Sequence, residues 1–248
     1  MKDLNQHKKI TVLIDADNAQ CSKLKYILDE ISAHGHIVIK RAYGDWSNEC
    51  LKNWKKELNE LAIQPIQQFA YTVGKNATDA SMIIDAMDLL YSGDFDAFAL
   101  VSSDSDFTKL ASRLKESEIF VFGVGETKTP ISFRNACDDF ILTENLGQES
   151  TSPDDTEEHP PQKLSKQEKQ LVHLLSVGWK QYQDDDGWAK ISAVGGFIKR
   201  SKPDFDPRTY GATKITDIIM KLDSIFTVSK FKGKNGGFIV AYKPVTRI

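Results

Sequence analysis

The chain has 248 residues, 40% of them hydrophobic, which is enough to bury one large core or two smaller ones. No apolar run approaches the roughly 18 residues of a membrane span, and the first residues lack the apolar centre of a secretory signal, so we expect a cytoplasmic protein without a membrane partner. The three cysteines, Cys21, Cys50 and Cys137, are far apart and odd in number, which argues against a CxxC metal site and a disulfide framework.

The formal net charge of −3 conceals an uneven distribution. Residues 163–248 carry 16 Lys and Arg against 8 Asp and Glu, whereas the rest of the chain is acidic. This asymmetry indicates that the two parts meet different partners, a polyanion for the basic part and a cation for the acidic part.

Strand-like and helical patterns alternate in the first part of the chain. Apolar, β-favouring runs predict strands over 9–14, 36–43, 62–69, 96–103 and 118–125, and helical spacing predicts helices over 20–33, 47–60, 77–91 and 107–117. At least three of the strands are almost continuously apolar, which is typical of parallel strands covered on both faces. The fold class expected for residues 1–143 is therefore α/β, a three-layer sandwich around a parallel sheet.

Residues 144–162 combine Pro, Ser, Thr and acidic residues with almost no apolar ones, and we predict a linker there. Residues 163–248 then show three helical patterns followed by a hairpin, whose turn is the Lys-Asn-Gly-Gly segment that begins at Lys234. Three helices and a hairpin predict a small winged-helix domain.

Acidic and amide side chains follow the strands of the predicted sheet. Asp15, Asp17 and Asn18 come directly after the first strand, and Asp104 and Asp106 come after a later one. Ligands of an open parallel sheet bind beyond the carboxyl ends of its strands. Both groups are therefore expected at one edge of the sheet.

A further acid, Asp79, lies in the first turn of a predicted helix and heads its apolar stripe, which includes Met82 and Ala86. Each acid taken alone is more often a helix cap, but three segments that bring acids to one edge would repel one another unless a cation neutralised them. Carboxylates completed by water suit Mg²⁺ or Mn²⁺, and such an ion can assist phosphodiester hydrolysis.

Three motifs, "LIDADNAQ", "KNATDASMIIDAMDLL" and "ALVSSDSDFTKLASRLKESEIFVFGVG", occur in this order and together resemble the NYN domain of the LabA-like group in the PIN-like nuclease superfamily. The resemblance covers about residues 8–143. The second part, with "DGWAKISAVGGFIKRSKPDFDPRTYGATKITDIIMKLDSIFTV", resembles the OST-HTH or LOTUS domain, a small winged helix. The pairing of these two domains is typical of bacterial NYN proteins.

The resemblance implies a metal-dependent ribonuclease-like domain joined to an RNA-binding module. Carried over position by position, the catalytic set comprises Asp15 supported by Asn18, Asp79 on the helix, and Asp104 with Asp106. Within this set, Asp15, Asp79 and Asp104 are expected to hold one or two Mg²⁺ or Mn²⁺ ions, directly or through water. Asp106 or Asn18 is expected to orient a water molecule.

RNA would meet basic and aromatic side chains. The expected RNA-binding residues are Lys75 in the first domain and Lys199, Arg200, Arg208, Tyr210, Lys232 and Lys234 in the second. A solvated surface is the plain alternative for the lysines, and core packing is expected for aromatics such as Trp188. LOTUS domains are associated with RNA, notably G-rich or quadruplex-forming RNA, and here that preference rests on the resemblance alone.

Two other functions fit parts of the pattern. A non-catalytic RNA-binding regulator would use the first domain as a scaffold, and metal-dependent cleavage that is lost on changing Asp104 would argue against it. A phosphatase of the haloacid dehalogenase kind would use the Asp-x-Asp after the first strand, yet the expected Thr or Ser does not follow and Asp79 would have no role. The sequence leaves the oligomeric state open, a homodimer included.

Overall fold

The computed structural model describes residues 9–69, 77–147, 165–232 and 237–245, and the chain divides into two compact units after Gly147. Asn145 and Leu146 are buried in the first unit. Ordered structure therefore continues past residue 143, where the sequence analysis placed the start of the linker. The rest of the expected linker, 148–162, lies outside the described residues.

Within the described ranges, the first unit has six parallel strands in the order β3-β2-β1-β4-β5-β6. Its elements in chain order are β1 (Lys9–Asp15), α1 (Leu24–Ser32), β2 (His36–Gly44), α2 (Trp54–Glu60), β3 (Gln64–Gln67), α3 (Ala77–Ser92), β4 (Ala97–Val101), α4 (Thr108–Glu116), β5 (Phe120–Gly125), α5 (Ile131–Ala136) and β6 (Asp139–Leu142). The predicted α/β fold class is confirmed.

Helices cover both faces of this sheet. Successive side chains of a strand point to opposite faces, and in β1 this places Val12 and Ile14 against α1 and α2, whereas Leu13 packs on the other side against α3 and α4. Because each face has its own apolar core, the strand is apolar at successive positions. The continuous run in the sequence thus has a direct physical cause.

The last strand and the short helix before it were not predicted. β6 has four residues, all buried, and α5 has six. Neither is long enough to show a repeating pattern of apolar positions. The strand is defined by its parallel pairing with β5, which is a tertiary contact.

The strand order places a crevice between β1 and β4. The chain proceeds from β1 through β2 to β3 in one direction, and from β4 through β5 to β6 in the other. At such a reversal the connecting helices leave on opposite faces, so the carboxyl ends of the two central strands remain accessible to a ligand. Asp15 ends β1, and Ser102 directly follows β4.

Close packing in the sheet makes Gly123 of β5 sensitive to substitution. A Cβ atom at this position would lie 2.4 Å from Cδ2 of Phe140 and 2.6 Å from Sγ of Cys137, and both neighbours are buried. We expect Gly123→Ala to lower the free energy of unfolding by about 2 to 3 kcal/mol, because an overpacked core must shift. Urea denaturation measures this difference, and a variant as stable as the wild type would contradict the packing argument.

The second unit contains three helices and a small sheet. Its described elements are α6 (Lys166–Tyr182), β7 (Ala189–Lys190), α7 (Ile191–Ser201), α8 (Ile215–Lys221), β8 (Phe226–Lys232) and β9 (Phe238–Pro244). The strands are antiparallel in the order β7-β9-β8, and the helices pack on one face of the sheet around a separate apolar core. The three helices and the hairpin agree with a winged helix, whereas the short β7 was not predicted.

None of the helices in the described parts of the chain combines the length and the apolar character needed to cross a bilayer.

Candidate active site

Asp15 is the innermost acid of the crevice and is fully buried. Its Oδ2 accepts hydrogen bonds from Oγ of Ser102 at 2.7 Å and from Nδ2 of Asn18 at 2.9 Å. Its Oδ1 accepts from the backbone N–H groups of Asp17 and Asn18, at 3.1 and 3.3 Å. Burial raises the pKa of Asp15, and the hydrogen bonds from Ser102 and Asn18 oppose that rise by favouring the carboxylate.

Three other acids converge beside it. One carboxylate oxygen from each of Asp79, Asp104 and Asp106 lies within 4.8 Å of the others. Asp79 comes from the first turn of α3, and Asp104 and Asp106 come from the segment between β4 and α4. Among the described residues, this is the only group of three or more Asp, Glu, His or Cys side chains whose ligand atoms are so close.

Local hydrogen bonds hold the segment after β4 in place. Oδ1 of Asp104 accepts the backbone N–H of Asp106 at 2.9 Å and so caps the short 3-10 turn Ser105–Phe107. The backbone N–H of Asp104 in turn donates to Oγ of Ser102 at 3.0 Å. Ser102 therefore connects Asp104 to Asp15, because its hydroxyl donates to one and accepts from the other.

The acids are close enough to perturb one another. Burial, followed by the charges of the neighbouring aspartates with Asp15 first, raises the pKa of Asp79 to about 6. Among the described residues, neither Asp79 nor Asp104 has a basic partner within salt-bridge distance. The result is a concentration of negative charge that a cation would relieve.

The predicted metal ligands and the observed cluster differ in one member. The sequence analysis grouped Asp15 with Asp79 and Asp104, whereas the three converging carboxylates are Asp79, Asp104 and Asp106. Asp15 lies close enough to raise the pKa of Asp79, but each of its oxygens already accepts two hydrogen bonds. The serine that occupies one of these oxygens is 87 residues away in the sequence, so no local pattern could have revealed it.

Asp85 has a structural role that the sequence analysis did not predict. It lies on α3 after Asp79, and its Oδ1 accepts from Nη1 of Arg41 at 2.5 Å while its Oδ2 accepts from the hydroxyl of Tyr43. Tyr43 is buried on β2 and is the register partner of Asp15 on β1. These contacts anchor the helix that carries Asp79 to the strand beside Asp15.

We expect Asp85→Ala to lower the free energy of unfolding by about 2 to 3 kcal/mol, because the partly buried Arg41 and the buried Tyr43 hydroxyl would both lose their partner. Chemical denaturation in chelator measures this loss. Asp88→Ala is the matched control, since Asp88 is exposed on the same helix. Equal stabilities for the two variants would contradict the anchoring role.

In the second unit, three of the expected RNA-binding residues, Arg200, Arg208 and Lys232, are exposed. Arg200 lies in the last turn of α7, and its Nη2 donates to the hydroxyl of Tyr182 at 3.1 Å. Lys232 is exposed at the end of β8. The expected Lys75 and Lys234 lie outside the described residues.

Lys199, Arg208 and Tyr210 also make contacts within the segment that follows α7. Nζ of Lys199 donates to the carbonyl oxygen of Phe205 at 2.9 Å, and Arg208 forms an ion pair with Asp206 at 2.7 Å. The ring of Tyr210 packs against that of Phe205, with 5.8 Å between their centroids. An RNA contact by these side chains would compete with interactions inside the protein.

Comparisons with known proteins agree on the division of the chain. The family model of the NYN domain matches residues 9–144, and that of the OST-HTH/LOTUS domain matches residues 162–237. No curated protein is significantly similar to this chain.

Several solved structures are similar to parts of the chain. A protein of unknown function from Vibrio parahaemolyticus matches with 19% identity and a TM-score of 0.46, covering 57% of this chain and 96% of that one. An uncharacterized protein from Nitrosomonas europaea matches with 22% identity and a TM-score of 0.31, covering 41% and 93%. A protein from Chromobacterium violaceum matches with 26% identity and a TM-score of 0.26, covering 36% and 84%.

Proposed function

Because the chain belongs to the NYN domain family, within the PIN-like nuclease superfamily, and carries an OST-HTH/LOTUS domain after it, we propose that it is a metal-dependent ribonuclease whose second unit binds the RNA. The observation that carries this proposal is the convergence of Asp79, Asp104 and Asp106 in the crevice between β1 and β4. A repulsive carboxylate cluster at the ligand-binding edge of the sheet is costly to fold unless it binds a cation.

The donor set fits a hard divalent cation. PIN-like nuclease domains generally use divalent metals, and three carboxylates supply the oxygen ligands that Mg²⁺ and Mn²⁺ prefer. In this proposal Asp79, Asp104 and Asp106 hold the ion. When bound, it would activate water and neutralise the charge that develops on the phosphate.

The remaining side chains of the crevice position these ligands. Asp15 accepts hydrogen bonds from the side chains of Asn18 and Ser102, and the Ser102 hydroxyl accepts one from the backbone N–H of Asp104. Asn18 is exposed and uses its amide N–H for Asp15, which leaves its amide oxygen to accept a hydrogen bond from a water molecule. Hydrolysis consumes one water and breaks one P–O bond, so a properly placed water is as necessary as the ion.

The buried position of Asp15 argues against the phosphatase alternative. That chemistry requires the first Asp of the Asp-x-Asp motif to attack phosphorus, and an accessible carboxylate oxygen is needed for this. Asp15 is fully buried and both of its oxygens accept hydrogen bonds. A nucleophilic role would require these interactions to break.

A cleavage assay tests the proposal. The purified chain would be incubated with a pool of structured and unstructured RNAs in Mg²⁺, in Mn²⁺ and in excess chelator, and the products would be resolved on a gel. We expect cleavage in the presence of metal, none in chelator, and recovery when metal is restored. RNA that is bound but intact in every condition would instead identify a non-catalytic RNA-binding regulator.

A further inference from the structure

The sheet of the second unit has one face that the helices do not cover. Phe226, Val228 and Tyr242 point into the apolar core. Since side chains alternate along a strand, Phe231 of β8 and Lys243 of β9 point to the opposite face. Trp188 lies on this outer face too, because the next residue, Ala189, is buried in the core and pairs with Tyr242.

Trp188, Phe231 and Lys243 form a cluster on the outer face, which we call the sheet-face cluster. The ring centroids of Trp188 and Phe231 are 5.2 Å apart at an interplanar angle of 72°, and Nζ of Lys243 lies 4.5 Å from the centroid of the Trp188 ring. Phe231 is 39% exposed. The sequence analysis expected Trp188 in the core, but it lies outside the core of this unit.

The lysines on the outer face of the sheet favour an anionic partner. Lys190 of β7 is exposed and lies two residues after Trp188, on the same outer face as Lys243. The preceding turn carries three exposed acids, Asp184, Asp185 and Asp186, of which Asp184 accepts the backbone N–H groups of Trp188 and Asp186 at 2.8 and 3.2 Å. The unit as a whole has twice as many Lys and Arg as Asp and Glu, 16 against 8 over residues 163–248.

We propose that the sheet-face cluster is a stacking site for unpaired RNA bases, with Lys190 and Lys243 contacting the adjacent phosphates. This inference rests on the proposed function, in which the second unit binds RNA. An exposed aromatic ring beside lysines suits single strands, because any unpaired base offers a π face to stack on and the backbone offers phosphates. Bases inside a duplex are already stacked on one another, so the site selects unpaired RNA.

The experiment measures binding by the full chain carrying Asp104→Asn, in chelator, so that RNA is not cut. Fluorescence anisotropy of a dye-labelled, unstructured RNA oligonucleotide gives the dissociation constant, and the same strand annealed to its complement gives the value for a duplex. We expect Phe231→Ala to weaken single-strand binding about tenfold, since loss of one stacked base has an effect of that order. Phe231→Tyr, which retains the ring, is expected to restore most of the affinity.

The matched control is Phe238→Ala. Phe238 lies on the same hairpin and is 71% exposed, but it falls on the opposite face from Phe231. We expect it to bind RNA as tightly as the unchanged protein. Equal affinities for Phe231→Ala and the unchanged protein, or a preference for the duplex, would overturn the stacking site while leaving the ribonuclease proposal intact.

Cross-linking provides a measurement that does not depend on the folding of a variant. RNA containing 4-thiouridine would be irradiated with the otherwise unchanged protein, and the linked peptides identified by mass spectrometry. Cross-links at Trp188 or Phe231 support the site, and cross-links found only elsewhere overturn it. If no RNA binds at all, the RNA-binding part of the proposed function fails as well, and the cleavage assay separately decides whether the first unit is a nuclease.

Discussion

Replacing Asp104 with asparagine is expected to reduce metal-dependent RNA cleavage by about 10²- to 10³-fold or more, a loss typical of removing a charged group that acts on the transition state. Asparagine retains an oxygen that can accept the backbone N–H of Asp106, so the capped turn is preserved. What disappears is one negative charge from the group of three converging carboxylates. Single-turnover cleavage rates in Mg²⁺ and in Mn²⁺ measure the effect.

The control for this substitution is Asp88→Asn, which removes an exposed carboxylate from α3 on a side chain that is not a member of the cluster. Its cleavage rate is expected to equal that of the wild type. The two variants have the same net charge, so a difference between them cannot arise from weaker or stronger attraction of RNA to the whole protein. Cleavage by Asp104→Asn at the wild-type rate would show that the negative charge of Asp104 is not needed for the reaction.

Replacing Asp79 with asparagine is expected to stabilise the metal-free protein. The pKa of Asp79 in the folded state is about 6, above its ordinary value of 3.8, because burial and neighbouring acids disfavour the carboxylate. The folded state therefore binds the proton more tightly, and the stabilisation this provides is fully present below pH 3.8 and is lost as the pH rises through about 6. At pH 7, which is above this pKa, the Asp79 carboxylate repels the neighbouring aspartates, and the substitution removes that repulsion.

We expect a gain on the order of 1 kcal/mol in the free energy of unfolding at pH 7, since solvent screens part of the repulsion at this half-buried side chain. Denaturation in chelator at several pH values between 5 and 8 measures it. The wild type is expected to lose stability over this range more steeply than Asp79→Asn. A variant that is less stable than the wild type at pH 7 would contradict the repulsion argument.

The same pair of proteins should differ in how much metal stabilises them. An ion that binds only the folded state, and whose concentration is about 100 times its Kd, stabilises that state by about 2.7 kcal/mol. The wild type is therefore expected to gain in melting temperature when Mn²⁺ or Mg²⁺ replaces the chelator, whereas Asp79→Asn gains little. A cluster that is costly without its ion and stable with it would explain why the acids converge here.

Much of the fold could be predicted from the sequence, because the spacing of apolar residues along a strand or helix indicates which of its faces are buried. The uninterrupted apolar run of β1 indicated a strand covered on both faces, and Val12 and Leu13 do pack into cores on opposite sides of the sheet. The position of Asp79 above an apolar stripe placed it on the inner side of α3, where Met82 is buried. Periodicity is a property of neighbouring residues, so it can be read without knowledge of the tertiary contacts.

The tertiary structure alone decided what each polar group contacts. Asp15 accepts a hydrogen bond from Ser102, Asp85 accepts from Arg41 and Tyr43, and these partners are distant in the sequence. In the second unit, Lys199 of α7 donates to the loop that follows its helix, whereas Trp188 lies on the outer face of the sheet beside Phe231. An aspartate or a lysine has the same local signature whether it binds a ligand or another part of the chain. Which of the two it does depends on long-range distances, and only folding sets those distances.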